Sequence, residues 1–199
     1  MTKCPDSSTD LAHAESFVLE TPAVKRAMKG DKEAFAACVS VLEDKLYGLA
    51  YSIVGNRHDA EDVWQTAIFK AWREIRRLRT PEAFKTWLTR IVLNEARSSL
   101  RRTRRERPDD LVTGAVFQDN GERGNREAFS DDGAAVRQYI RRLPIEQREA
   151  LVLRFWMGLP LKTVAEIARI PLGTAKTRVY AGVQALKRMM EDDGYEPGD

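Results

Sequence analysis

Thr174, Lys176, Thr177 and Arg178 place two cations and two hydroxyls within little more than one helical turn. Such a set binds phosphate oxygens and base edges: Arg pairs bidentately with guanine, while Lys and Thr hold the backbone. A second basic cluster, Arg97–Arg107, reads Arg-Ser-Ser-Leu-Arg-Arg-Thr-Arg-Arg-Glu-Arg and is followed by an acidic stretch. That asymmetry implies a polyanion near the first segment, although the net charge is only +3. Chemistry that makes or breaks bonds has no footing, since no glycine-rich phosphate loop or nucleophile signature is present and no catalytic residue or small-molecule substrate is expected. Cys4, Cys38, His13 and His58 lack metal-ligand spacing, so neither metal nor other cofactor is expected, and Cys38 reads as a small core residue.

The C-terminal cations need an element that holds them outward, and residues 158–187 supply one in the pattern of a helix-turn-helix. Val164, Ala165, Ile167 and Ala168 lie on the buried side of a short first helix. Ile170 to Gly173 form the expected turn, where Pro171 stops the helix and Gly173 permits unusual backbone angles. Thr174 is the expected N-cap of the second helix. Ala175, Val179, Val183, Leu186 and Met190 recur at three- and four-residue steps as its core-facing stripe. Thr174, Thr177 and Arg178 then sit opposite, flanked by Lys176, at the helix end that enters the major groove in this motif.

The remaining chain is helical in pattern. Residues 1–20 read as a mobile arm. A short helix over Pro22–Lys29 ends at Gly30. Asp31 caps a longer one carrying Phe35, Val39, Leu42, Leu46, Leu49 and Ile53, which Gly55-Asn56 interrupts. Asp59 starts a third helix, and Thr80-Pro81 begins a fourth, carrying Phe84, Trp87, Leu88, Ile91 and Val92. Trp87 packs against Trp72 in this reading. Periodicity fails from Pro108 to Gly133 and resumes at Ala134, with Pro144 separating two further helices. The expected fold is all-α: two small helical domains joined by a flexible linker, the C-terminal one containing the helix-turn-helix. Their spans are 21–106 and 134–191, with an acidic linker over 107–133 and a tail over 192–199. No apolar run nears the ~20 residues that span a membrane, and cysteine usage suits a reducing compartment, so a cytoplasmic protein without membrane insertion is expected.

Two runs in the first domain resemble a known family. Asp59-Ala60-Glu61-Asp62-Val63-Trp64-Gln65-Thr66-Ala67-Ile68-Phe69-Lys70-Ala71-Trp72 resembles the core-polymerase-binding segment of bacterial sigma factors. Phe84-Lys85-Thr86-Trp87-Leu88-Thr89-Arg90-Ile91-Val92-Leu93-Asn94 resembles the adjoining promoter-melting helix that reads the −10 element. Leu143-Pro144 through Arg148, with Gly173-Thr174-Ala175-Lys176-Thr177-Arg178, is similar to the family's domain for the −35 element. Two domains and nothing larger is similar to the extracytoplasmic-function (ECF) subgroup.

The resemblance implies a promoter-specificity subunit, of the kind used in stress or envelope responses, whose partners are core RNA polymerase, duplex and single-stranded promoter DNA and an anti-sigma factor that could hold it at a membrane. It implies that Asp59, Asp62 and Gln65, which share a helical face by their three-residue spacing, dock on the clamp coiled-coil of the largest polymerase subunit. Thr66 departs from the family's usual Glu. Trp87, Arg90, Asn94, Arg97, Arg101 and Arg102 are the implied −10 contacts, and Thr174, Lys176, Thr177 and Arg178 the implied −35 contacts. The family commonly adds cations one turn beyond Arg178, where this chain has Ala181 and Val183. By analogy the acidic linker threads toward the RNA channel. An alternative stays open: a helix-turn-helix regulator whose first half senses a signal or dimerises.

Overall fold

A computed structural model of the chain describes residues 21–106 and 131–194. The expected arm, most of the expected linker and the last five residues lie outside the described residues. Those described form helices: α1 (Thr21–Met28), α2 (Lys32–Ser40), α3 (Glu43–Val54), α4 (Arg57–Glu74), α5 (Phe84–Glu106), α6 (Asp131–Arg142), α7 (Ile145–Leu151), α8 (Leu161–Ala168) and α9 (Leu172–Asp192). Three-residue 3-10 turns at Ile75–Arg77 and Pro81–Ala83 join α4 to α5, and a π-helical segment, Val152–Trp156, extends α7. No strand occurs among the described residues.

Local chemistry sets most boundaries. Gly30 ends α1 with φ 97°, and Asp31 caps α2 by accepting from the Ala34 N–H at 3.0 Å. The single long helix expected after Asp31 is broken: Val41-Leu42 turn, and Leu42 buries its side chain there before α3 begins. Gly55 closes α3 in the left-handed conformation, φ 85°. Asn56, rather than Asp59, is the N-cap of α4. Its Oδ1 accepts from the Asp59 N–H at 2.8 Å while its Nδ2 donates to Asp59 Oδ2 at 2.8 Å, a reciprocal capping pair. Thr80 offers no side-chain cap; its carbonyl instead accepts from Ala83 N–H in the 3-10 turn that leads into α5.

The helix-turn-helix is present, but its turn lies earlier than expected. Arg169 ends α8 in the left-handed region at φ 58°, and Pro171 is the N-cap of α9. Gly173 is ordinary helix, and Thr174 falls inside the first turn instead of capping it. The stripe on α9 also shifts. Ala175 and Gly182 are its buried residues, whereas Val183 is 38% exposed. At Gly182 a Cβ would lie 2.9 Å from Leu151 Cδ1, so the glycine lets α7 and α9 approach closely.

α3 is the hub. It packs on α4 and α5 in the N-terminal unit and on α7 and the π-helical segment in the C-terminal unit. Leu46, Leu49, Ile53, Phe84, Leu88 and Leu93 are fully buried in one continuous core that also takes in Leu153, Met157, Val164 and Ile167. Truncating such a leucine to alanine costs about 2–5 kcal/mol through lost transfer energy and the cavity left behind. Cys38 is buried in that core, as its sequence context suggested, and burial pushes its thiol pKa up.

Candidate functional site

The α4 face begins at the capping pair. Asp59 is half-buried and its carboxylate is engaged by Asn56, whereas Asp62 and Gln65 are exposed. His58 Nε2 lies 4.0 Å from Asp62 Oδ2, near but weakly coupled at this exposure. Gln65 borders a groove of about 600 Å³ whose walls include Phe35, Val39, Trp64, Ile68, Phe69 and Trp72. Phe69 stands 64% exposed on the rim, with the Arg73 guanidinium 5.8 Å from its ring centroid. Sequence reasoning overlooked Phe69. Its spacing, one turn beyond Gln65, was the available signal.

Behind this groove runs a chain of rings. Trp72 meets Phe35 at 5.2 Å, Phe35 meets Phe84 at 6.4 Å, and Phe84 meets Trp87 at 5.9 Å. Trp87 therefore joins Trp72 through Phe35 and Phe84, and it remains only half-buried. From Trp87 the expected row continues along α5 through Arg90 and Asn94, both half-buried, to Arg101 and Arg102, both exposed. Arg90 Nε is buried without a hydrogen-bond partner among the described residues. Lys85, one turn before Thr89, has its pKa lowered, mainly by burial and secondarily by Lys45. Arg97 interrupts the row. Its Nε donates to Glu149 Oε1 at 2.8 Å and its Nη2 to Glu149 Oε2, a bidentate pair with α7. The hydrogen bond to Glu149 raises the Arg97 pKa further, against the opposing effect of burial.

The third set sits on α9. Lys176 and Thr177 are exposed, and Thr174 and Arg178 are half-buried. Thr177 Oγ1 donates to the Gly173 carbonyl at 3.0 Å, which leaves the hydroxyl's lone pairs facing out. Pro171 provides no side-chain cap, so the first N–H groups of α9 remain to bind an anion. Tyr180 is 62% exposed one turn past Lys176, with Leu172 also outward. Neither was singled out from the sequence. The three sets thus lie on α4, α5 and α9 as surfaces of different helices. Among the described residues no group of three His, Cys, Asp or Glu is placed to hold a metal ion, and no helix is long and apolar enough to cross a membrane.

Comparison with known proteins assigns both halves. The model of sigma-70 region 2 matches residues 38–106 and that of sigma-70 region 4 matches 133–186. The ECF RNA polymerase sigma factor SigW of Bacillus subtilis is 33% identical over 181 residues, covering 85% of this chain and 95% of its own. The RNA polymerase sigma-H factor of Pseudomonas aeruginosa is 34% identical over 177 residues, covering 84% and 92%. Among solved structures, the sigma factor RpoE in complex with the anti-sigma factor NepR from Bartonella quintana superposes with TM-score 0.68 at 26% identity, covering 80% of this chain and 98% of that one. CnrH in complex with the cytosolic domain of CnrY shares the fold, with TM-score 0.66 at 22% identity over 88% and 99%. Two region models in the right order, joined by relatives that align nearly end to end, place the chain in the sigma-70 family of RNA polymerase sigma factors, in its extracytoplasmic-function group.

Proposed function

We propose that the chain binds core RNA polymerase, directs it to promoters and helps open them, without a catalytic centre of its own. The observation that carries this is the coexistence, in one chain, of a region 2 unit with an outward α4 face and a region 4 unit with an outward α9 N-terminus. A regulator with an N-terminal sensing bundle would leave the region 2 match over 38–106 unexplained.

Each surface suits one task. On α4, Asp62 and Gln65 supply polar contacts to polymerase and Phe69 adds an apolar anchor beside the groove, while Asp59 chiefly organises the helix start. Exposed aromatics beside polar groups are what a protein partner buries most profitably. On α5, half-buried Trp87 supplies a ring for an unstacked base, Arg90 and Asn94 its polar neighbours, and Arg101 and Arg102 the phosphate contacts. Extruding a base costs a few kcal/mol, which these contacts must offset because no nucleotide hydrolysis is coupled to the step. On α9, Arg178 reads a base edge, and Lys176, Thr177 and the helix N-terminus around Thr174 hold phosphates. A further partner is an anti-sigma factor, by likeness to the RpoE–NepR complex, and the working compartment is the cytoplasm, with envelope or stress signals upstream.

Run-off transcription with core enzyme tests the division of labour. Arg178→Ala should lower transcription from a −35-dependent promoter by about tenfold, the scale of one bidentate base contact at roughly 1–3 kcal/mol, with co-elution on core unchanged. Equal loss of co-elution would refute it, and failure of the intact chain to select any start site would remove the reading altogether.

A further inference from the structure

The two units meet along a seam with specific polar contacts. Trp156, from the π-helical segment, lays its indole on Gly48 of α3, where a Cβ would lie 3.0 Å from Nε1. The same Nε1 donates to the Lys45 carbonyl at 2.9 Å. Arg148 Nη1 donates to the Ser52 carbonyl at 3.2 Å. At the far end of the seam Arg97 forks onto Glu149, with side-chain exposures of 23% and 7%.

This arrangement cannot be the one that reads a promoter. The −10 and −35 elements are about 25 base pairs apart, and at roughly 3.4 Å per base pair that is about 85 Å of duplex. Units joined by a 2.8 Å hydrogen bond cannot lie on both elements together. The residue at the join is also telling. A carboxylate offers a guanidinium the same pair of acceptor oxygens that a phosphate does, and Arg97 stands on α5 between Asn94 and Arg101, two of the residues proposed to meet promoter DNA.

We propose that Glu149 is an internal stand-in for a promoter phosphate: by occupying Arg97 it latches the free chain shut, and the latch must release before both promoter elements can be engaged. The inference rests on the polymerase and promoter reading given above. Its consequence follows from population arithmetic, because affinity for any partner of the open form is divided by the fraction of open molecules. Core enzyme that presents the chain to both promoter elements must hold the open form, so weakening the latch tightens binding to it.

Small-angle scattering of the free full chain and titration of core polymerase test this together. Glu149→Gln, and independently Trp156→Phe, which keeps an aromatic ring but loses the N–H and part of the packing on Gly48, should each increase the radius of gyration with helical circular dichroism unchanged. Each should also tighten core binding by about tenfold, equivalent to roughly 1.4 kcal/mol. The exchange Arg97→Glu with Glu149→Arg should restore the compact size but not promoter opening. Unchanged scattering in both single variants overturns the latch, and so does expansion without a gain in core affinity. If neither wild type nor Glu149→Gln binds core, the polymerase reading has failed, and scattering alone then decides whether the pair holds the units together.

Discussion

Arg97, Arg101 and Arg102 are neighbours on α5, yet their surroundings give them different electrostatic weight. Arg101 and Arg102 are exposed, so their contact with DNA phosphates would be a screened, counterion-releasing one. Replacing either with alanine should reduce the slope of log affinity against log salt, for holoenzyme on promoter DNA, by about 1. An unchanged slope would show that neither touches the backbone. Arg97→Ala should behave differently, since the same substitution would free the seam as well as remove the DNA contact that the family resemblance implies for Arg97. The row was legible in sequence because periodicity along one helix is local. Its partner was not: Glu149 lies 52 positions away, and nothing in either segment's pattern announces the pairing. Asp59 teaches a related lesson, since an acidic residue in a first turn serves the helix before it serves a partner.

Among the elements, helix starts separate what side-chain chemistry decides from what packing decides. Asp31 caps α2 and its carboxyl is held below its ordinary pKa of 3.8, first by the Ala34 N–H and next by Arg26, whose Nε lies 2.8 Å away. A depressed folded-state value means that the cap's contribution is present above pH 3.8 and fades as pH falls through the lower folded value. Asp31→Ala should therefore lower the thermal midpoint at neutral pH, and the gap from wild type should close in stronger acid. A gap independent of pH would place the effect elsewhere than in the carboxylate. That cap was readable from the sequence, as were Gly30 and Gly55. The turn of the helix-turn-helix was not, because the left-handed position is filled by Arg169, a residue that carries no turn signal. Gly173 drew the expectation, but Pro171 already fixes the start of α9 two residues earlier. The break at Val41-Leu42 escaped for another reason. Leu42 is buried by tertiary packing, which overrides a helical period that continues straight through it.

For the molecule as a whole, one continuous core across both units predicts one cooperative unfolding transition in calorimetry, with calorimetric and van't Hoff enthalpies in agreement. Glu149→Gln should divide it into two. Two transitions already present in wild type would mean that the units are thermally independent despite their contact. The all-α architecture and the two-unit division were evident from helical periodicity and its failure after Pro108. Their close docking was not, since the apolar residues that join them look like ordinary core in either unit. The seam itself has a physical consequence for recycling. Two of its hydrogen bonds end on backbone carbonyls, of Lys45 and Ser52, groups that solvent can serve as well as Trp156 or Arg148 does. Arg148 meanwhile keeps its bonds to Arg141 and Leu143 within its own unit. Parting the halves thus strands few buried polar atoms, and its cost lies in the apolar side chains that the two units share, so the join can be undone and remade over successive rounds of use wherever a partner covers those side chains.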